Sequence, residues 1–429
     1  MTTTPTYHIT PALRFPDFTN DGEWDYANGN ELFEPIVNKN HNSDLPVLAI
    51  TQDQGAVPRD MIDYNVIVSD KSIAGYKVVE VGDFIISLRS FQGGIEYSYY
   101  KGLCSPAYIV LRRKNELICN DFYRHYFKSA RFIQDLNRNL EGIRDGKMVS
   151  YQQFSTIRIP FPPLAEQRRI AACLSALDEM LAATNGKLEQ LKAYKKGLMQ
   201  QLFANSTMGG GKSLNINHLQ IPKLKFPEFY EEKEWEEKKL GEIFMRITDR
   251  NKENNQNVLT ISAQYGLVSQ YDYFNKNVAS ADVSNYYIIN KGDFAYNKSR
   301  SQGHPYGAIK SLRLYDKGIV SPLYICFRTK SDDFDCDFLE YYFDTDLIDG
   351  EIGQIAQEGA RNHGLLNIST TDFFDNVTIF VPPLPEQRKI ASCLSAMDET
   401  INAYTEKVGL LGQYKKGLMQ QMFPQNQMN

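Results

Sequence analysis

The chain of 429 residues carries 47 Lys+Arg against 52 Asp+Glu, a formal charge of −5, so a polyanionic partner must be met by local basic patches rather than by the whole surface. Its composition, 42% hydrophobic and 23% charged, is that of a soluble globular protein of two to four domains, and no stretch approaches the roughly 18 consecutive apolar residues of a spanning helix. The opening MTTTPTYHITPALRF lacks the basic flank and apolar core of a signal peptide, which points to a cytoplasmic protein without a membrane partner; six cysteines with no CxxC pair offer neither a zinc knuckle nor a disulfide framework.

In chain order, PALRFPDF (11–18) and Trp24 open a first region that is acidic, with five basic and thirteen acidic residues in 1–86. Residues 78–86 read as strand, turn, strand around Gly82-Asp83, and 107–111 as a buried strand. Between and beyond them the window 87–114 holds five basic residues against one acidic, a net of +4. Residues 119–137 read as one helix with an aromatic face. The polyanion-facing candidates of this region are Arg89, Gln92, Tyr97, Lys101, Arg144 and Lys147, because Arg grips guanine edges, Gln adenine edges, and Lys the phosphates.

Residues 162–205 form a different kind of segment. Apolar side chains at Ile170, Leu174, Leu177, Leu181, Leu188, Leu191 and Leu198 step by three and four, the seam of a coiled coil, with Thr184 on it and Lys195 fitting it badly. Proline precedes this helix and Glu166 lies in its first turn, where a carboxylate suits the dipole. Its 38 residues from 166 to 203 span ~57 Å. A polar, glycine-containing linker follows over 206–221. Its GGGKS resembles a phosphate loop but has Ser206 where the motif needs glycine.

The chain then repeats itself. PKLKFPEF (222–229) and Trp235 answer the opening, KGDFA (291–295) answers VGDFI (81–85), and SPLYIC (321–326) answers SPAYIV (105–110). The window 297–330 holds seven basic residues against one acidic, a net of +6, and 336–348 reads as an aromatic-faced helix. Candidates here are Lys298, Arg300, Gln302, His304, Arg361 and His363. At 382–425 the seam returns as Ile390, Leu394, Met397, Ile401, Val408, Leu411 and Leu418, with PPLPEQRK and YKKGLMQQMF at an offset of 220. Gly409 and Gly412 each weaken this helix by about 1 kcal/mol relative to alanine, so a local irregularity is expected. The whole reads as an α+β protein: variable domains 1–161 and 222–381, and two long helices closing on each other as an antiparallel coiled coil with pseudo-twofold symmetry. No [DN]PP[YF], HExxH or GxSxG motif is present, and no catalytic or metal-ligating residue is identified.

The alternation of a variable head with a repeated PPLxEQRxIAxxL helix resembles the specificity subunit of type I restriction–modification systems. That resemblance covers the whole chain and rests most firmly on 162–203 and 382–423. It implies a non-catalytic DNA-recognition subunit whose heads each read half of a split, asymmetric site in double-stranded DNA. It also implies docking of two modification subunits, which bind S-adenosylmethionine and methylate adenine, and of restriction subunits that use ATP and Mg; no cofactor is expected on this chain. Half-sites one helical turn apart, ~34 Å, fall within the reach of the helix. With its charge of −5 the isolated chain is expected to bind DNA weakly and with strong salt dependence. Two other readings use the same features: a coiled-coil scaffold whose heads bind proteins, and a fused DNA methyltransferase or nuclease.

Overall fold

The computed structural model describes residues 10–42, 44–62, 73–138, 149–203, 207–208, 212–213, 219–220, 222–232, 234–262, 266–274, 282–301, 303–345, 347–356 and 366–423. Two compact units divide the chain, one of 1–186 with 405–429, the other of 187–404. Both boundaries fall inside the long helices, so each helix contributes one end to each unit.

In the first unit, β1 (Asp25–Asn28) leads through α1 (Gly29–Leu32) into β2 (Phe33–Ile36). The hairpin β3 (Leu48–Thr51) and β4 (Gly55–Pro58) follows, then β5 (Lys77–Val79), β6 (Phe84–Ile86), the short α2 (Ser90–Gly93), β7 (Glu96–Tyr97), β8 (Gly102–Cys104) and β9 (Ile109–Arg113). Helices α3 (Asn120–Tyr126), α4 (Ala130–Arg138) and α5 (Tyr151–Ser155) come before β10 (Arg158–Phe161) and the long α6 (Leu164–Phe203). The sheet has the order β2-β9-β6-β7, all antiparallel, with β3–β4 and β5–β8 beside it. Pairing of β1 with β10 brings the two ends of the head together where α6 begins.

The second unit repeats this plan. After the short β11 (Thr207–Met208), β12 (Lys212–Ser213) and β13 (Leu219–Gln220) come β14 (Trp235–Lys239), α7 (Leu240–Ile243) and β15 (Phe244–Ile247). The hairpin β16 (Leu259–Ser262) and β17 (Gly266–Ser269), α8 (Gln270–Phe274), β18 (Tyr287–Asn290), β19 (Phe294–Asn297), β20 (Ala308–Ser311), β21 (Lys317–Val320) and β22 (Ile325–Thr329) follow. The unit ends with α9 (Cys336–Phe343), α10 (Leu347–Ile355), α11 (Thr370–Asp375), β23 (Thr378–Val381) and α12 (Leu384–Met422). Its sheet order, β15-β22-β19-β20, is the first one restated. The polar stretch read as a linker is thus not wholly structureless, since β13 pairs with β14.

Each core is aromatic. Phe33 meets Phe84, Tyr123 and Phe127 at ring-centroid distances of 5.2–5.4 Å, and Phe244 meets Phe294 and Phe327 at 5.5 and 4.8 Å. Such edge-on and tilted pairs add about 0.5–1.5 kcal/mol each beyond their burial, which is how short strands are held without long ladders. The glycines of the repeated GD turns, Gly82 and Gly292, have φ of 96° and 89°, a conformation that a Cβ resists. Each turn is closed by the following aspartate, Asp83 accepting from the Glu80 amide at 2.8 Å and Asp293 from Asn290 at 2.7 Å.

Two sequence expectations are corrected. The single helices read over 119–137 and 336–348 are each a pair, α3 with α4 and α9 with α10. In the first, the Ser129 hydroxyl oxygen accepts from the Phe132 amide at 3.2 Å, starting a new helix where aromatic periodicity alone ran on. The irregularity expected at Gly409 and Gly412 is absent: α12 runs unbroken through both. Both glycines are exposed, and the flanking Val408 and Leu411 are half-buried, so packing on the seam outweighs the local propensity.

Candidate nucleic-acid interface

The heads are clamped to the long helices by residues that the sequence writes twice. Glu166 is fully buried and takes a bidentate pair from Arg14, both contacts 2.7 Å. Its counterpart Glu386 faces Lys225 at 3.6 Å; burial pushes its carboxyl above the usual range, against the pull of Lys225 and the Trp235 indole. Gln167 accepts from the Cys119 amide at 2.8 Å and donates to Pro162 and Leu117 carbonyls. Gln387 does the same with Asp335, Pro382 and Asp333. Arg169 and Lys389 lie over the Phe15 and Phe226 rings at 5.2 and 5.5 Å. The PxLxFPxF and EQR motifs are therefore two halves of one joint.

At their other ends the helices close each core. Leu202 and Phe203 are buried with Trp235 and Phe338 in the second unit, together with Ile390 and Leu394 of α12. Met422 and Phe423 are buried with Trp24 and Phe122 in the first, together with Ile170 and Leu174. Within each unit the helix ends run antiparallel. Lys195, the poor fit on the seam, bonds Asp398 at 2.6 and 2.7 Å and lies 4.9 Å over the Tyr341 ring. Lys415 pairs with Asp178 in the same way in the first unit. The lysine of each YKKG thus answers the aspartate of the other copy's SAxDE. Leu177, Leu181, Leu191, Leu198, Met397, Ile401 and Leu418 are half-buried, and Leu188 is buried.

This joint explains where the two helices agree. From 166 to 179 eleven of fourteen residues equal their partners at 386–399, and from 194 to 203 nine of ten equal 414–423. Over 180–193 only three of fourteen do. The ends must fit the heads and each other, while the middle needs only apolar residues at seam positions.

Of the candidate contacts, Arg89 and Gln92 are exposed at the two ends of the α2 turn. Tyr97 is a half-buried ring packed edge-on against Phe84 and Tyr99 at 5.4 and 4.7 Å, and burial raises its hydroxyl pKa. Lys101 is exposed and pairs with Glu80 at 3.0 Å. In the second unit Arg300 is exposed, while Lys298 is half-buried with its ammonium pKa lowered by that burial. His304 closes a tight loop by exchanging backbone bonds with Ser301. Arg144, Lys147, Gln302, Arg361 and His363 lie outside the described residues.

The basic windows need a correction. Arg112 is held bidentately by Asp83 and Arg328 by Asp293, at 2.7–2.9 Å. Lys310, Arg313 and Lys317 pair with Asp344, Glu340 and Glu253, and Arg113 with Glu116. All of these acidic partners stand outside the windows in sequence, so counting within a window overstates the charge open to a ligand. Arg89, Lys114, Lys298 and Arg300 carry no ion pair among the described residues. Sequence reasoning also passed over NKNHN (38–42) and NKENNQN (251–257). These largely exposed polar loops follow the equivalent strands β2 and β15, and their shared asparagine–lysine start was the available signal.

His125 marks a difference between the heads. Burial, with Arg124 and Lys415 beside it, pulls its imidazole down to about 3; Asp178, 3.7 Å away, is engaged by Lys415 and Arg124. A depressed histidine pKa contributes stability that is complete above the unfolded value near 6.5 and is lost as pH falls toward 3. At pH 5 the loss is about 2 kcal/mol. Buried carboxylates with raised pKa, such as Glu96, act with the opposite sign, so the comparison must be differential. His125→Tyr, which installs the residue found at the equivalent Tyr341, is expected to lose less stability than wild type between pH 7.5 and 5 in urea unfolding. Equal losses would refute the assignment.

A family model described as the type I restriction modification DNA specificity domain matches residues 24–193 and again 232–409. The putative type I restriction enzyme MjaX specificity subunit of Methanocaldococcus jannaschii is 23% identical over 375 residues, covering 82% of this chain and 80% of that relative. The MjaVIII specificity subunit of the same organism is 29% identical over 168 residues, 39% of this chain and 36% of that relative; the match thus spans about a third of its length. A crystal structure of the S subunit of a type I restriction-modification system from M. genitalium has a TM-score of 0.51 at 15% identity, covering 97% of this chain and all of that one. This last likeness is one of fold.

Proposed function

The chain belongs to the type I restriction–modification DNA specificity family, and from that membership we propose that its two heads read two unlike short DNA words separated by bases that neither head contacts. The observation that carries the reading is the contrast between the copies: strand order and helix joints coincide, whereas the exposed residues around α2 and around 297–307 do not. Identical scaffolds with different faces suit recognition of two different sequences. We also propose that the repeated outer face of α6 and α12 docks two copies of one modification subunit. Arg168, Glu179 and Tyr194 recur as Arg388, Glu399 and Tyr414, exposed in both copies, with Tyr194 65% and Tyr414 59% accessible. An exposed tyrosine that packing does not require is a fitting anchor for a partner. Such subunits supply the cationic surface that a chain of charge −5 lacks.

The test is to sequence the methylome of a host carrying this chain with its modification subunit, before and after residues 10–161 are exchanged for the equivalent head of another family member. A split methylated site that changes in one half only is the expected result. A change in both halves, or a single uninterrupted site, contradicts the reading.

A further inference from the structure

The hairpin β3–β4 was not among the segments that the charge pattern singled out, yet its tip is built into the same rim as Arg89 and Gln92. Lys128 makes the connection. Its ammonium donates to the Gln52 carbonyl at 3.1 Å, to the Gly93 carbonyl at 3.1 Å and to the Glu96 carboxylate at 2.5 Å. One side chain therefore holds the hairpin tip, the α2 turn and β7, using all three of its donors. The Gln52 side chain lies against Gly93, where a Cβ would sit 2.8 Å from its amide carbon, and donates to the Arg89 carbonyl at 3.3 Å. Within the tip, Thr51 accepts from the Gln54 amide and donates to the Gly55 carbonyl, both 3.1 Å. Gly55, at φ 73°, approaches the Tyr97 carbonyl more closely than any side chain permits. From the other side, Asn137 of α4 buttresses α2 through the Phe91 carbonyl at 2.9 Å.

The result is a rigid rim from which Gln52, Asp53, Gln54, Leu88, Arg89 and Gln92 all stand exposed, Leu88 by 52%. It combines amides, a guanidinium, a carboxylate and an apolar tip, the side-chain chemistries that match adenine, guanine and cytosine edges and the thymine methyl. A backbone fixed before binding spares the entropy of ordering the loop, so only the side chains themselves have to be ordered on contact. The second unit lacks the lock, since Asp344 occupies the position of Lys128 and pairs with Lys310.

We propose that Gln54 is a specificity-determining residue of the first head, reading an adenine edge beside the contacts of Arg89 and Gln92, and that Lys128 is the positioning residue that holds it there. This rests on the reading of the heads as DNA-sequence readers. In the complex of the full chain with its modification subunit, methylation of a randomised plasmid library is compared for wild type, Gln54→Ala and Gln54→Glu, alongside the exchange of 10–161. The exchange identifies the half-site of the first head. Gln54→Ala is expected to reduce the preference for adenine at one position of that half-site by about tenfold, with the other half-site unmoved. Gln54→Glu shifts the preference there toward cytosine, whose amino group a carboxylate accepts. The double variant E96Q/K128M, which removes both charges of the pair together, blurs the same position. An unchanged base preference in the Gln54 variants, or a uniform fall in methylation at every site, overturns the proposal. If the head exchange itself alters neither half-site, the failure belongs to the reading of the heads instead.

Discussion

Phe423→Ala is expected to destabilise the first unit by about 4 kcal/mol. The residue lies at the far end of the chain, yet it is only 1% exposed and its ring meets Phe122 and Tyr126 at 5.5 Å each. Truncation removes its transfer free energy and leaves a cavity walled by aromatic rings, which relax little because each is held by several others. Against a typical total of about 5–15 kcal/mol, this is a large share of the stability of the unit. Phe203→Ala has the same consequence in the second unit, where the ring packs on Phe338 at 5.6 Å and Tyr342 at 5.8 Å. Tyr414→Ala, on the exposed face of α12, changes stability by no more than about 0.5 kcal/mol. Denaturant unfolding of the three variants decides the matter. If Phe423→Ala unfolds at the wild-type midpoint, the end of α12 is not part of the first core.

The second large effect concerns a charge reversal between the heads. Glu96, buried on β7, pairs with Lys128 after α3; Lys310, buried at the equivalent place on β20, pairs with Asp344 after α9. The scaffold accepts either polarity, and a mismatch is expected to be costly. Glu96→Lys sets two ammonium groups together at a position where the first is buried and the second half-buried, and is expected to cost about 3 kcal/mol. Adding Lys128→Asp recreates the arrangement of the other unit and restores most of the loss. About 1 kcal/mol remains missing, because an aspartate cannot donate to the Gln52 and Gly93 carbonyls. A double-mutant cycle measured by urea unfolding yields the coupling directly. Additive single effects, with no recovery in the double variant, would mean that the pair is not an energetic unit. The same cycle bears on DNA reading, since the lysine that pairs with Glu96 also fixes the hairpin tip.

These two cases show where legibility ended. The tandem repeat, the seam from Ile170 to Leu198 and from Ile390 to Leu418, and the α+β character of the heads follow from periodicity and self-similarity, which are local or exact properties of a sequence. The resemblance to specificity subunits stood on those motifs. The poor seam fit of Lys195 was visible, but its resolution by Asp398, 203 positions away, was not. The basic windows misled for the same reason: Asp83, Glu340 and Asp344 neutralise cations from outside the counted stretch.

Sequence alone determined that two heads share one plan and that two helices carry a common stripe, because a helix repeats every 3.6 residues and a strand every two whatever surrounds it. Tertiary structure alone decided which charges remain open, which aromatic plug closes which core, and that the β3–β4 tip belongs beside Arg89. Coulomb attraction and burial act over a few ångströms of space, and chain folding sets those distances without regard to separation along the sequence.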